Sequence, residues 1–570
     1  MKNKRKVNEN ISGSEILLLS LLEEETDTVF GYPGGAIMPV FDALYDYKKE
    51  LRHILVRHEQ AAVHAAQGYA RVSGKVGVAL VTSGPGATNT ITGIADAMID
   101  STPVVVISGQ VVSSLLGTDA FQEIDIVGIS QPVTKWSYQV RKAEDIAWAV
   151  AQAFYIARTG RPGPVVLDFT KDAQLATAGY YYEKCKSIRS YIPCPSINKD
   201  SIRQAAEAIN SAEKPFALVG QGVELGNAEK ELLDFIEKAQ IPSAWTLLGA
   251  SVIPSEHQLN KGMLGMHGNL APNLKTNECD VLIAIGMRFD DRVTGNLNEY
   301  AKQAKIIHFD IDPAETGKNV DVDIPVLGNV KETLPEVTKL LKKVSRNDWI
   351  ESFDIAAQEE YDKVIENEIY GKEKYITMGE VVRCVSEATG DEAVIVTDVG
   401  QNQMMGARYS KRKNPRSFIS SGGLGTMGFG LPAAIGAKIG APDRTVCLFC
   451  GDGGIQMSIQ ELGTIMQSNV KVKIIILNNK YLGMVRQWQE MFHNKRYSAT
   501  PMLNPDFVKL AESYRIKGRK VSQREDLNAA IGEMLEHNGA YLLEVEVEKK
   551  GMVFPMIPAG TAVTNVILEK

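Results

Sequence analysis

The stretch 446–456, VCLFCGDGGIQ, decides the reading of this chain: an apolar run breaks into Gly451-Asp452-Gly453-Gly454. A run this apolar fits a strand covered on both faces, as in a parallel sheet flanked by helices. Glycines where a strand ends let the backbone come close to a phosphate group. Asn478-Asn479 closes a second apolar run, 473–477, and begins 26 residues past Asp452. The Asp452 carboxylate and the Asn479 amide oxygen are hard ligands suited to Mg²⁺ completed by diphosphate oxygens, each at the carboxyl end of a strand. The bland alternative is a tight turn and an Asn-rich turn that merely follow strands.

Two neighbouring strips point the same way. Val399-Gly400-Gln401-Asn402 follows the run 393–397, and 422–428 (GGLGTMG) precedes a helix starting near Leu431. Neither has the G-x-G-x-x-G form of a dinucleotide fold. Nearer the start, 51–56 leads into His58-Glu59-Gln60 and the small-residue helix AAVHAAQGYA. Glu59 stands at a helix N-terminus, where a capping carboxylate and a catalytic acid are both open readings. Ser83-Gly84-Pro85-Gly86-Ala87 reads as a turn against a ligand or an opposing helix.

Further out, apolar runs alternate with helical patterns almost throughout, as at 76–82, 104–108, 165–169 and 281–285. This predicts an α/β protein with parallel sheets. The segment 185–198 has little periodicity and reads as a linker; the charged segment 351–374 reads as helical and peripheral. The close, GMVFPMIPAGTAV, reads as an arm or lid. The first and last α/β stretches are similar in layout, which suggests two copies of one fold. The three units are expected at 1–185, 199–345 and 365–570.

The 570 residues are too many for one core. With 44% hydrophobic and 23% charged residues, the mix is that of a soluble globular protein. A formal charge of -7 gives no support to a nucleic-acid or membrane-surface binder. No run approaches a membrane span, and the basic start lacks the apolar stretch of a secretory signal. Six scattered cysteines make a disulfide scaffold unexpected. Cys447 and Cys450 read as small residues of a buried strand rather than a redox pair. A cytoplasmic location is therefore expected.

The chain resembles the thiamine-diphosphate enzymes, and within them the biosynthetic, FAD-containing acetohydroxyacid (acetolactate) synthase catalytic subunits. The strings that carry this are RHEQAAVHAAQGYAR (57–71), TSGPGATN (82–89), GTDAFQE (117–123), GMLGMHG (262–268), RFDDRVTG (288–295) and NNKYLGMVRQWQ (478–489), besides GDGG. The resemblance implies a pyrimidine-binding domain, an FAD-binding middle domain and a diphosphate- and Mg²⁺-binding domain. It implies a homodimer or tetramer with active sites at the subunit interface, and a small regulatory subunit. The implied reaction decarboxylates pyruvate on thiamine diphosphate and condenses the hydroxyethyl carbanion with pyruvate or 2-oxobutyrate. The products are 2-acetolactate and 2-aceto-2-hydroxybutyrate, at the first common step of isoleucine, valine and leucine biosynthesis.

Roles follow residue by residue from the resemblance. Glu59 binds the aminopyrimidine ring. Met427 props the cofactor, with Gly425, Gly483 and Met484 in the same pocket. Val399, Gly400, Gln401, Asn402, Gly451, Gly453 and Gly454 surround the diphosphate, though many relatives carry histidine at the place of Asn402. Asp452, Asn479 and the Tyr481 carbonyl hold Mg²⁺. Phe121, Gln122 and Lys171 line the substrate channel, Met484 and Val485 pack near the thiazolium, and Trp488 shapes selection of the larger acceptor. The implied FAD contacts are Arg161, Gly220, Gly222, Thr246, Leu247, Met263, Met266, His267, Gly286, Arg288, Asp290, Asp310, Ile311, Asp312, Met404 and Gly422. A flavin-oxidising sister enzyme and an inactive scaffold are the rival readings.

Overall fold

The computed structural model describes residues 10–371 and 374–569. It contains three six-stranded sheets, all parallel, and a short antiparallel ribbon of Asn10–Ser12 with Thr177–Gly179. The first sheet uses β1 (Thr28–Gly31), β2 (Arg52–Leu55), β3 (Gly77–Val81), β4 (Val104–Gln110), β5 (Trp136–Val140) and β6 (Val165–Thr170). The second uses β7 (Pro215–Val219), β8 (Ser243–Trp245), β9 (Asn260–Met263), β10 (Val281–Ile285), β11 (Lys305–Asp310) and β12 (Ile324–Leu327). The third uses β13 (Val394–Thr397), β14 (Phe418–Ile419), β15 (Val446–Gly451), β16 (Lys473–Asn478), β17 (Lys517–Val521) and β18 (Tyr541–Glu546).

The first sheet runs β2-β1-β3-β4-β6-β5 and the third β14-β13-β15-β16-β18-β17. Counted from each sheet's own first strand these are one topology, which supports the expectation of two copies of one fold. The middle sheet runs β9-β8-β7-β10-β11-β12, a different order. β3, β4, β10 and β16 are buried along their whole length. That is why each carries an unbroken apolar run rather than an alternating pattern.

The first and third units meet through two helices, Glu59–Ser73 and Gly430–Gly440. A Cβ placed on Gly68 would overlap the carbonyl of Ala433, and one on Gly436 would overlap that of Ala65. Absence of a side chain at these two positions lets the backbones touch. Residues 61–72 are consequently buried on every face, the expected state of a helix without a polar stripe.

His64 sits inside this contact, with ring nitrogens 3.3 Å from the amides of Gln60 and Gln67. Burial, with Arg71 nearby, pulls its imidazole down to about 3. The unfolded chain therefore takes up a proton below about pH 6.5 that the folded chain refuses. Stability linked to His64 is full above that pH and falls on acidification. His64→Gln should remove this dependence. Denaturant unfolding at pH 6.5 and at pH 5 should show wild type losing about 2 kcal/mol more than the variant; equal losses would mean that His64 is protonated in the fold.

One expectation is corrected. The charged segment is helical, Asn347–Glu360 followed by a wider turn at Tyr361–Ile365 and by Glu366–Tyr370, but it is not peripheral. Trp349, Phe353, Ala356 and Glu360 recur on one face and are buried. Glu360 pairs with Arg408 and accepts the Leu270 amide at 2.6 Å. The closing segment packs on the body: Ile557 N–H reaches Met266 O at 2.8 Å and Asn296 N–H reaches Thr561 O at 2.9 Å. All six cysteines are free. Cys447 and Cys450 lie buried in β15, and burial pushes the Cys447 thiol up to about 12. Among the described residues no helix is long and apolar enough to cross a membrane.

Candidate functional site

The site is built where β13, β15 and β16 end side by side. β15 finishes at Gly451, and a short helix, Asp452–Gln456, starts at once. Burial pushes the Asp452 carboxyl up to about 6, partly offset by Asn504, whose amide donates to Oδ2 at 2.6 Å. Asn479 donates to Gln401 Oε1 at 3.1 Å and accepts the Tyr481 amide at 3.0 Å. Gln401 also donates to Gly551 O at 2.9 Å. The Asn402 amide bridges Asp398 O and Phe449 O at 2.8 and 3.0 Å, tying β13 to β15.

Several glycines leave room above this floor. At Gly400 (φ 135°), Gly425 (φ 68°) and Gly451 a Cβ would meet nothing nearer than 3.1, 3.9 and 3.6 Å. At Gly453 it would strike Leu482, with the tip of Met427 4.0 Å away. Gly483 is packed against Gln401 and Asn479, and Gly454 against the Asp398 carboxylate. A cavity of about 1020 Å³ opens beside these elements. Val399, Gly400, Gly425, Met427, Met484, Val485 and Trp488 line its third-unit side. Trp488 stacks obliquely on Phe492, ring centroids 5.0 Å apart.

Glu59, Phe121, Gln122 and Lys171 do not line this cavity. They gather instead at the carboxyl ends of the first sheet. Glu59 is the first residue of its helix, but the cap is His58, whose ring accepts the Gln60 amide at 3.2 Å. The Glu59 carboxylate accepts from Asn89 at 2.9 Å and faces Gly86. Gly84 lies against Gln122. Phe121 is 88% exposed. Lys171 opens the helix Lys171–Leu175, whose Asp172 accepts the Ser113 amide at 2.9 Å. One chain therefore carries two separate groups of the expected site residues.

The cofactor expectation is corrected in two parts. Among the described residues no group of three or more His, Cys, Asp or Glu side chains is placed to hold a metal ion. The expected Mg²⁺ set of Asp452, Asn479 and Tyr481 offers a single carboxylate, and both side chains are engaged by Asn504 and the Tyr481 amide. The FAD expectation falls as well, because no flavin-binding motif or aromatic stacking cluster accompanies the residues named for it. Of the residues named for it, all but Gly220 and Asp312 line the cavity, namely Arg161, Gly222, Thr246, Leu247, Met263, Met266, His267, Gly286, Arg288, Asp290, Asp310, Ile311, Met404 and Gly422, yet no Phe, Tyr or Trp of the middle unit does. Gly220 and Gly222 are packed against Gly286. Asp290 and Asp310 accept backbone amides. Arg161 is paired with Glu315 at 2.7 Å and Asp312 at 3.5 Å.

Sequence reasoning missed Asp398 and Asn504. Asp398 is fully buried and accepts the amides of Val399, Gly428 and Gly430 at 2.7, 3.1 and 3.0 Å. Its place directly before Val399, at the end of β13, was the available signal.

Three family models match: thiamine pyrophosphate enzyme, N-terminal TPP binding domain, over residues 11–129; the central domain over 202–337; and the C-terminal TPP binding domain over 398–545. The acetolactate synthase large subunit of Haemophilus influenzae is 45% identical, covering 98% of both chains. A probable acetolactate synthase large subunit of Methanocaldococcus jannaschii is 44% identical over 98% of this chain and 95% of its own. The acetolactate synthase isozyme 2 large subunit of Escherichia coli K12 is 43% identical over 98% of this chain and 100% of its own.

Proposed function

The chain belongs to the acetolactate synthase large-subunit family of thiamine pyrophosphate enzymes, and from that premise we propose how its own residues divide the work. It is a thiamine-pyrophosphate-dependent carboligase that condenses pyruvate to 2-acetolactate. The observation that carries this is similarity along almost the whole chain, joined to a glycine-lined floor at the ends of β13 and β15.

The residues present fit thiamine diphosphate. Gly400, Gly425 and Gly451 leave space that any side chain would fill, and Glu59 offers a carboxylate with the Asn89 amide as partner. When bound, this cofactor supplies the carbon centre that releases CO₂ from one 2-keto acid and hands the remaining two-carbon unit to another. Gly400, Gly451 and Gly453 would admit the diphosphate, with Gln401 and Asn402 beside it. Met427, which lines the cavity, would pack against the cofactor. Glu59 would hold the proton at the pyrimidine ring, and the Asn89 amide keeps that carboxylate oriented. Met484 and Val485 would exclude water from the reacting centre, as apolar walls do. Phe121, Gln122 and Lys171 would meet the keto acid.

Because Glu59 and the glycine floor form two groups in one chain, the reading includes pairing of two copies, each completing the other's site. A small regulatory subunit belongs to the same reading and is tested by co-purification. The units are taken as 1–185, 199–345 and 365–570.

Incubating the protein with thiamine diphosphate, pyruvate and 2-oxobutyrate should give both acetohydroxy acids. Absence of both products would defeat the reading. Trp488→Leu should change the proportion between them. An apolar face that packs on one extra methylene is worth about 1–3 kcal/mol. The share of 2-aceto-2-hydroxybutyrate should therefore fall about tenfold or more with 2-acetolactate still formed; an unaltered ratio would make Trp488 a packing residue only.

A further inference from the structure

The strip 420–429 has neither helix nor strand, so no ladder sets its shape. Nevertheless Ser421, Gly422, Leu424, Gly425 and Met427 all face the cavity. Backbone amides are obligatory donors, and at the start of this strip, where Gly422 is half-buried and Gly423 exposed, their acceptors belong to the first unit. Asp100 receives the Gly422 amide at 2.9 Å on Oδ2 and the Gly423 amide at 2.7 Å on Oδ1. Asp96, one helical turn earlier, receives the hydroxyls of Ser421 and Thr426, the latter at 2.9 Å. Ser421 Oγ in turn accepts the Thr426 amide at 2.8 Å. Arg71 closes the set, 2.8 Å from Asp100 Oδ2 and donating to Ser420 O.

Stability alone does not account for this arrangement. Asp96 lies in the last turns of the helix Ile91–Ile99 and Asp100 is its C-cap, the end at which the helix dipole disfavours negative charge. Both acids are fully buried, and a buried ion pair is weak evidence for stabilisation. The contact is also close enough to demand glycine: a Cβ on Gly423 would lie 2.8 Å from Ile99 Cγ1 and 3.0 Å from Asp100 Oδ1.

We propose that Asp100, seconded by Asp96, is a positioning residue of the cofactor cradle, holding the 421–427 strip so that Gly425 and Met427 present themselves to thiamine diphosphate. This rests on the function proposed above. The test is equilibrium titration of the full-length protein with thiamine diphosphate in the absence of keto acid, followed by kcat at saturating cofactor. Asp100→Asn sets an amide donor against the Gly422 and Arg71 donors, and should raise Kd about tenfold or more. Thr426→Val removes one hydroxyl and no buried charge, and should raise Kd about threefold. In both, kcat at saturation should stay within about threefold of wild type. Kd unchanged in both variants would overturn the positioning role, as would a fall in kcat with Kd unchanged. If Asp100→Asn does not fold, Thr426→Val decides alone, and an unchanged Kd there overturns it. Wild-type protein that binds no thiamine diphosphate would overturn the proposed function itself, and this role with it.

Discussion

Glu59→Gln lowers kcat for 2-acetolactate formation by about 10²–10⁴-fold, the range for loss of a proton-handling side chain. The variant is well suited to separate chemistry from folding. The helix that begins at Glu59 is capped by the His58 ring, not by Glu59. The Asn89 amide, 2.9 Å from the carboxylate, can donate equally to a glutamine oxygen. Loss of one negative charge in the first helical turn costs about 0.3–1 kcal/mol, a small part of a domain's stability. What glutamine lacks is a carboxylate oxygen able to accept and return a proton. The measurement is kcat at saturating thiamine diphosphate, beside denaturant unfolding of both proteins. A kcat within tenfold of wild type would remove Glu59 from the chemistry.

Gly436→Ala is expected to destabilise the protein by about 3 kcal/mol or more, the upper part of the range for overpacking a close contact. The added methyl would overlap the Ala65 carbonyl, and Tyr69 N lies next along the same backbone. A flexible side chain could move aside; two helix backbones can separate only by opening the junction between the first and third units. Activity should fall with stability, because Glu59 begins one of these helices and the 420–429 strip runs into the other. Gly532→Ala supplies the control. That glycine lies in the helix Leu527–Glu536 with nothing within 4 Å of a Cβ, so the same change there should stabilise by about 0.5–1 kcal/mol. Urea unfolding of the two variants should move in opposite directions. Similar midpoints would show the Gly436 contact to be looser than its geometry implies.

The strands were legible because both faces of each sheet are covered. The run 281–285 coincides with β10, and the run 76–82 contains β3. The Asn347–Glu360 helix misled because its charged residues mask a stripe of Trp349, Phe353, Ala356 and Glu360. Asp96 and Asp100 were invisible for a different reason. Each acts by receiving backbone amides or hydroxyls from the third unit, and a carboxylate that meets such partners more than 300 residues away leaves no periodic trace. The metal expectation rested on Asp452 and Asn479 as free oxygen donors. Nothing in their spacing reveals that Asn504 and the Tyr481 amide engage them.

The closing segment has a consequence for biosynthesis. Ile557 and Val563 belong to the same buried cluster as Phe216, Ala284 and Phe353, so the middle unit draws part of its core from residues translated more than two hundred positions later. A chain emerging from the ribosome can assemble its first sheet early, but the second unit in order must wait, with an open apolar face, until Ile557 and Val563 have been made. The unit made second is thus completed last, and nascent chains stalled before residue 557 are the ones most in need of a chaperone.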